Sequence, residues 1–479
     1  MMYKHALFLN PYIESASTSI MGLFPPIGLE YVATSAKGLV EKITLLDLRY
    51  EKELSDPEKL IEFIRKEIDI VCVSIGWDRQ FDEICALINL IPEDITLVVG
   101  GYKATEQVEE LFKYCTNIDI IVRGEGEATI KEILTAVPFE KIAGISYRST
   151  AGIIHNENRP LQDINAIIAP DRSMRKNKYQ LRLNGINVTN LTFDSVLSSR
   201  GCPFNCKFCT FSLNPMGQKR KYAERSVESV MEEIENITAD TILFSDDNFF
   251  TNIKRAEKIC DMIIDRKPGK RFIAQARIEI ADHPSLLSKM VKAGFKILFI
   301  GVESPHDRIL EDMNKGFDSA KIRNYFSVLK RYPIYYHGYF IYGNIGETEE
   351  EMLYIAQFAK EINLDSITFQ KLRIEKFSPL REIAEKTAGY HVTDRGELYS
   401  DLYSHAVLKK IGRKIKFSFY TPKILFKIMR KFIAVKFFRF EDIFSLFRAG
   451  PYLLNGVLKR EIGKNRLGDS IKRIFINNA

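Results

Sequence analysis

Strand and helix alternate in two long stretches of this chain, and no other feature restricts the fold as much. In residues 1–137, short runs rich in β-branched residues and leucine ("HALFLNP", "KITLLDL", "DIVCVSIG", "TLVVGG", "DIIVRGE") are separated by segments such as "GLEYVATSAKGL" and "DEICALINLI". The apolar residues of those segments recur at helical spacing. Strands joined by helices predict a parallel sheet covered on both faces. Ligands of such sheets lie beyond the carboxyl ends of the strands. Here those ends read Asn10-Pro11, Asp47, Ser74-Ile75-Gly76, Gly100-Gly101 and Gly124-Glu125-Gly126. The glycines let a bulky ligand approach the backbone, although ordinary turn chemistry also accounts for any one of them.

Residues 138–190 differ. "GISYRSTAGIIHNENRP" reads as a hairpin and "PDRSMRKNKYQ" as a polar connector. Alternation resumes over 191–378 with the strands "SVLSSRG", "TILFSDDN", "RFIAQAR", "KILFIGVES", "IYYHGYFIYG" and "SITFQKLRI". Six β/α units in succession predict a parallel, incomplete barrel. Residues 379–479 are expected to be helical and basic.

With 479 residues the chain is too long for one core. No uninterrupted apolar run reaches the ~18 residues of a membrane span, and the start does not read as a secretory signal. Cys72, Cys85, Cys115 and Cys260 lie scattered in apolar segments, as small buried hydrophobes of a reducing cytoplasm do. The net charge of +7 is local, because eleven Lys and Arg and no acid fall between Asp401 and Glu441. A nucleic-acid-binding chain is therefore not expected.

"RGCPFNCKFCTF", residues 200–211, crowds Cys202, Cys206 and Cys209 into eight positions. A structural zinc asks for four ligands, and no histidine or fourth cysteine is near. An iron–sulfur cubane held by three thiolates leaves one iron open, as a catalytic site needs. The triple follows the first barrel strand, at the mouth where barrel active sites form. Incidental thiols or zinc remain the plainer readings.

"CPFNCKFC", with the aromatic Phe208 before its last cysteine, resembles the signature of the radical S-adenosylmethionine (SAM) superfamily. The resemblance implies that Cys202, Cys206 and Cys209 hold a 4Fe–4S cluster whose free iron is chelated by the methionine end of SAM. "FSDDNFF" resembles a family turn and offers Asp246 and Asp247. "AQARIE" offers Gln275 and Arg277, the guanidinium being suited to the methionine carboxylate. "GVES" offers Glu303 to the ribose hydroxyls, assisted by Ser304. "GYFIYGNIGETEEE" offers Gly343 and Gly346 to the adenine. The plain alternatives are a helix cap for the aspartates, an ion pair of Arg277 with Glu279, and solvation of Glu303.

"PPIGLEYVA", "LLDLR", "VVGGYKAT" and "RGEGEATIKEIL" resemble the cobalamin-binding domain joined to such enzymes, as in the anaerobic magnesium-protoporphyrin ester cyclase type and hopanoid methylases. The implied fold is α/β: a Rossmann-like cobalamin domain (1–137), a hairpin and connector (138–190), a partial (β/α)6 barrel (191–378) and a helical C-terminal region (379–479). The implied cobalamin contacts are Ser74, Gly100, Gly101, Tyr102, Thr105, Glu125 and Gly126. The family's Asp-x-His-x-x-Gly motif is missing, so the lower face of cobalt falls to Trp77, Arg79 or a water. Alternatively the domain keeps its fold and has lost the cofactor.

The expected function is reductive cleavage of SAM to a 5′-deoxyadenosyl radical, then modification of an unactivated carbon by cobalamin-dependent methyl transfer. The alternatives are radical ring closure or carbon–carbon coupling without methyl transfer, or a non-enzymatic iron–sulfur carrier or sensor. The expected partners are a small-molecule, lipid-like substrate and an external one-electron reductant, with no nucleic acid. Tyr339 and His337 are acid–base candidates. In "TPKILFKIMRKFIAVKFFRF", Lys423, Lys427, Arg430 and Lys431 share a helix face opposite Leu425, Phe426, Met429, Phe432 and Ile433. Such a helix either lies on an anionic membrane surface, each cation contributing about 1 kcal/mol, or caps the barrel with its lysines in water. The expected location is cytoplasmic and anaerobic, at the inner face of the membrane if the helix lies there.

Overall fold

The computed structural model describes residues 3–13, 23–183, 186–209, 214–439 and 441–442. The expectation of helix over 443–479 lies outside them.

The first sheet contains β1 (His5–Asn10), β2 (Lys42–Asp47), β3 (Ile70–Ser74), β4 (Thr96–Gly100), β5 (Ile120–Val122), β6 (Ile145–Ser149) and β7 (Gly152–His155), in the order β2-β1-β3-β4-β5-β6-β7. The first five are parallel, with Leu9 opposite both Leu46 and Val73. Their alternate side chains fill two cores, one on each face, so the strands are apolar throughout. Strand order reverses beside β1, which opens a crevice between the carboxyl ends of β1 and β3. The hairpin β6–β7 pairs antiparallel with β5 and belongs to this sheet.

The second sheet contains β8 (Gln180–Leu183), β9 (Ile186–Val196), β12 (Thr241–Phe244), β13 (Arg271–Ala276), β14 (Phe295–Glu303), β15 (Tyr335–Tyr342) and β16 (Ser366–Lys371). Between β9 and β12 come the short β10 (Ser199–Arg200) and β11 (Ala223–Glu224), paired with each other. Six strands are parallel and β8 adds an antiparallel edge beside β9. β8 and β16 are the two edges, so the barrel is open. Helices pack on the outer face over a large core that includes Phe244, Phe295, Phe340 and Phe358. On the inner face, where the strands start, Phe193, Ile273, Ile297 and Tyr335 join Val435 and Phe437 in a separate cluster. The Phe432 ring stacks on Tyr335 at 4.3 Å. The chain after the helix Pro422–Ala434 thus plugs the floor and leaves the other end for chemistry.

The connector is a strut between the sheets. Arg175 bonds Glu30 of the first domain (2.5 Å) and Asp194 on β9 (2.6 Å), while Arg172 bonds Asp194 (2.8 Å) and Glu233 (2.7 Å). All five side chains are largely buried, and removing one partner of such a pair costs about 3–5 kcal/mol.

Candidate active site between the two sheets

The cysteine loop leaves β10 and is fastened on several sides. Asp247 accepts the Gly201 N–H (2.8 Å), and Asp246, wholly buried, accepts from Ser198 N (2.6 Å) and Ser199 Oγ (2.8 Å). The two aspartates therefore hold the approach to Cys202. Further along, Lys207 N donates to Met313 O (3.0 Å), Asn314 Nδ2 to Asn205 O (2.9 Å) and Ser378 Oγ to Lys207 O (2.5 Å). Gly201 has φ +85°, and a Cβ there would stand 2.7 Å from Lys221 O, so no other residue fits this turn.

Cys206 is buried beside Arg277, whose Nη1 lies 3.7 Å from its sulfur; Cys202 and Cys209 are half-buried. Burial pushes the Cys202 thiol up, Asp247 and Cys206 adding to it, while Arg277 opposes them. Among the described residues no three ligating side chains converge on one point. A cubane takes each thiolate on a different iron, so its sulfurs stand apart. A pinned loop, three cysteines and a guanidinium against the thiolates fit that group.

Arg277 also bonds Glu279 (2.8 Å) and Lys315 O (2.6 Å), and its guanidinium lies 3.8 Å over the Phe204 ring. The pairing with Glu279 and the position beside the cysteines coexist. Glu303, at the end of β14 with φ +68°, is paired with Lys315 (2.8 Å). Lys315 is the residue the sequence reading missed: it is buried, its ammonium lies 5.6 Å from the Phe208 and Phe317 rings, and its carbonyl orients Arg277. Ser304 Oγ accepts from His306 N (3.1 Å), and Gln275 is half-buried on β13, its carbonyl bonded to Phe249 N. Gly343 and Gly346 both have φ +73°; the first faces Leu408 and the second donates to Tyr390 Oη (2.6 Å). Deeper in the barrel, His337 is held by Ser366 (2.7 Å) and Thr368 (3.0 Å). Burial lowers it to about 4 and pushes Tyr339 up to about 12, so neither is charged near neutrality.

Across the gap stand the ends of the first sheet. Tyr12 bridges the crevice, its phenol accepting from Gly76 N (3.0 Å) and Trp77 N (2.8 Å) and donating to Trp77 O (3.1 Å). Trp77 rests against Tyr12 at 5.2 Å, yet 46% of it is exposed, and nothing lies within 4 Å of where a Gly76 Cβ would be. An aromatic rim open at Gly76 and Trp77 fits the flat face of a macrocycle. Arg79 is half-buried just beyond, at the same rim. Ser74 pairs with Gly100, and Thr105 Oγ1 donates to Gly101 O (2.9 Å) and accepts from Gly124 N (3.0 Å), tying β4 to β5. Gly126 packs on Val32. No histidine stands on these loops.

Two groups join the domains. Glu125 is engaged by Arg200 (3.1 Å), Arg220 and Gln162 N (2.9 Å), and a Cβ on Gly124 would meet Met216 Cε at 2.6 Å. Lys103, buried, pairs with Glu106, Asp78 (3.4 Å) and Glu375 (3.7 Å); Arg373 pairs with Asp78 and Glu375 (3.2 Å); Tyr102 Oη meets Glu375 at 3.5 Å. Residues 216, 373 and 375 carried no motif, since only the fold brings them to the first sheet.

An open parallel barrel with a three-cysteine loop at its mouth, faced by a doubly wound sheet, defines a class. Residues 196–359 match the Radical SAM superfamily and residues 16–134 the B12 binding domain. The chain is 30% identical over 375 residues to "Uncharacterized methyltransferase PH0819" of Pyrococcus horikoshii, covering 76% of this chain and 79% of that one. It is 25% identical to the anaerobic magnesium-protoporphyrin IX monomethyl ester cyclase of Rubrivivax gelatinosus, covering 79% and 70%. The structure of TsrM, a radical SAM methyltransferase of Kitasatospora setae, superposes with a TM-score of 0.64 at 18% identity, covering 81% of this chain and 77% of TsrM. The chain belongs to the radical SAM superfamily, in the group with an N-terminal B12-binding domain. It is an enzyme of the radical SAM type, and its cofactors are a 4Fe–4S cluster, SAM and cobalamin.

Proposed function

We propose that this enzyme methylates an unactivated carbon of an apolar small molecule held between the two sheets, with electrons from an external one-electron donor. The observation that carries the reading is the apposition of the cysteine loop to the glycine-rich ends of the first sheet, through Met216 on Gly124 and Arg200 on Glu125 and Glu127. When bound, the cofactors supply a carbon-centred radical and a transferable methyl group.

The protein's residues position and shield. Cys202, Cys206 and Cys209 would hold the cluster, and Arg277 meets a carboxylate next to it with its guanidinium already oriented by Lys315 O and Phe204. Glu303, neutralised by Lys315, receives ribose hydroxyls, with Gln275 and Ser304 in support. Tyr12, Gly76 and Trp77 would hold the macrocycle, and no histidine stands on the loops beside them. The apolar substrate class rests on the relatives, one of which acts on a magnesium-porphyrin ester.

Anaerobic protein reconstituted with iron, sulfide and hydroxocobalamin is expected to retain stoichiometric cobalamin through gel filtration. With dithionite and SAM it is expected to form 5′-deoxyadenosine. Protein that cleaves SAM yet keeps no cobalamin defeats the methyl-transfer reading. Protein that does neither defeats the whole assignment.

A further inference from the structure

The helix Pro422–Ala434 carries apolar residues on both its inward and its outward side. None of its residues is buried. Its inward side packs Ile424, Ile428 and Phe432 on the barrel and also carries two lysines: Lys427 Nζ donates to the carbonyls of Asn363 (3.3 Å) and Leu364 (3.2 Å), and Lys431 lies 3.9 Å from Asp365. Its outward side carries Leu425, Phe426, Met429 and Ile433, with 53%, 58%, 44% and 48% of their surface exposed. At 3.6 residues per turn these four fall in one arc, bordered by the exposed Lys423 and Arg430. Phe417, near the end of the preceding helix His405–Phe419, is also exposed. An apolar arc on a helix that spends its lysines inward marks a contact surface.

Charge selects the partner. No acid lies between Asp401 and Glu441, where eleven cations do. On the preceding helix Lys409, Arg413 and Lys416, with Lys371 of β16, line an open groove of about 580 Å³ floored by Tyr342 and Phe369. A second copy would set these cations against their own kind. A bilayer with anionic headgroups would meet both features, taking the apolar arc at the acyl boundary and the cations at the phosphates.

We propose that this face docks the enzyme on a bilayer containing anionic phospholipid. The helix touches the ends at which β15 and β16 begin, whereas the groove lies where they finish, so the docked face runs along this side of the barrel. The inference is independent of the reaction proposed above.

Co-sedimentation of the full-length holoenzyme with phosphatidylcholine and with mixed phosphatidylcholine–phosphatidylglycerol vesicles tests it. Binding is expected to be about tenfold tighter to the mixed vesicles. The double variant Phe426→Glu/Met429→Glu is expected to bind them about tenfold more weakly, with SAM cleavage unchanged. Absence of binding, or equal binding to both vesicles, overturns the proposal. So does a lipid-free dimer that the same variant dissociates. A Phe426→Cys thiol that reacts with maleimide only after removal of residues 443–479 would assign the face to the chain's own end and overturn it as well.

Discussion

Lys315 shows what a single residue does here beyond any motif. Its ammonium neutralises Glu303, and its carbonyl holds the guanidinium that faces Cys206. Lys315→Ala leaves Glu303 buried without a cation, so a loss of about 3 kcal/mol in unfolding free energy is expected, with weaker SAM binding by calorimetry. The double variant Lys315→Met/Glu303→Gln should recover much of the stability and none of the SAM affinity. A double-mutant cycle in urea checks this. Replacing Cys202, Cys206 or Cys209 by Ala is expected to abolish cluster absorbance and 5′-deoxyadenosine formation while the far-ultraviolet spectrum is retained. The cysteines were legible because three thiols at fixed spacing have few other uses. Lys315 was not, since it follows an unremarkable helix and owes its role to β14 folding beside it.

Among the elements, those defined by local periodicity and the hairpin β6–β7 match the sequence reading, and the pairings at the edge and floor of the barrel do not. The strands β1–β5 and β12–β16 fall on the predicted apolar runs. The hairpin β8–β9 begins earlier than the strand expected there, because β9 runs from Ile186 and its outer half reads as polar connector. The floor plug was unforeseen, and so was the orientation of the helix Pro422–Ala434. Lys427 and Lys431 turn inward because the carbonyls of Asn363 and Leu364 and the Asp365 carboxylate await them, while Lys423 and Arg430 face out. The expected single basic face is therefore split. Phe437, buried in the plug, fills space between the inner strand ends. Phe437→Ala should cost about 3 kcal/mol, lowering the thermal midpoint measured by calorimetry.

At the scale of the molecule, the Asp78–Lys103–Glu106–Arg373–Glu375 cluster couples the cobalamin-type domain to the barrel. Burial and the neighbouring Glu375 raise the Glu106 carboxyl from 4.5 to about 7. The folded form thus keeps a proton that the unfolded chain releases near 4.5. The resulting stabilisation is complete below that pH and is lost as pH rises through about 7. Thermal midpoints are expected to fall between about pH 5 and about pH 8 by more in the native protein than in Glu106→Gln. Equal slopes would show that the shared proton plays no part in domain docking.

By itself the sequence determined the two β/α domains, the three-cysteine loop and the class of cofactor, because periodicity, strand-end position and thiol spacing are local properties of the chain. Only the tertiary structure decided which groups face each other across the gap: Tyr12 on Trp77, Glu125 on two arginines, Lys103 on Glu375, and an apolar helix face turned to solvent. Those contacts join residues up to hundreds of positions apart, and their energy depends on burial and partner geometry, which no stretch of sequence carries alone.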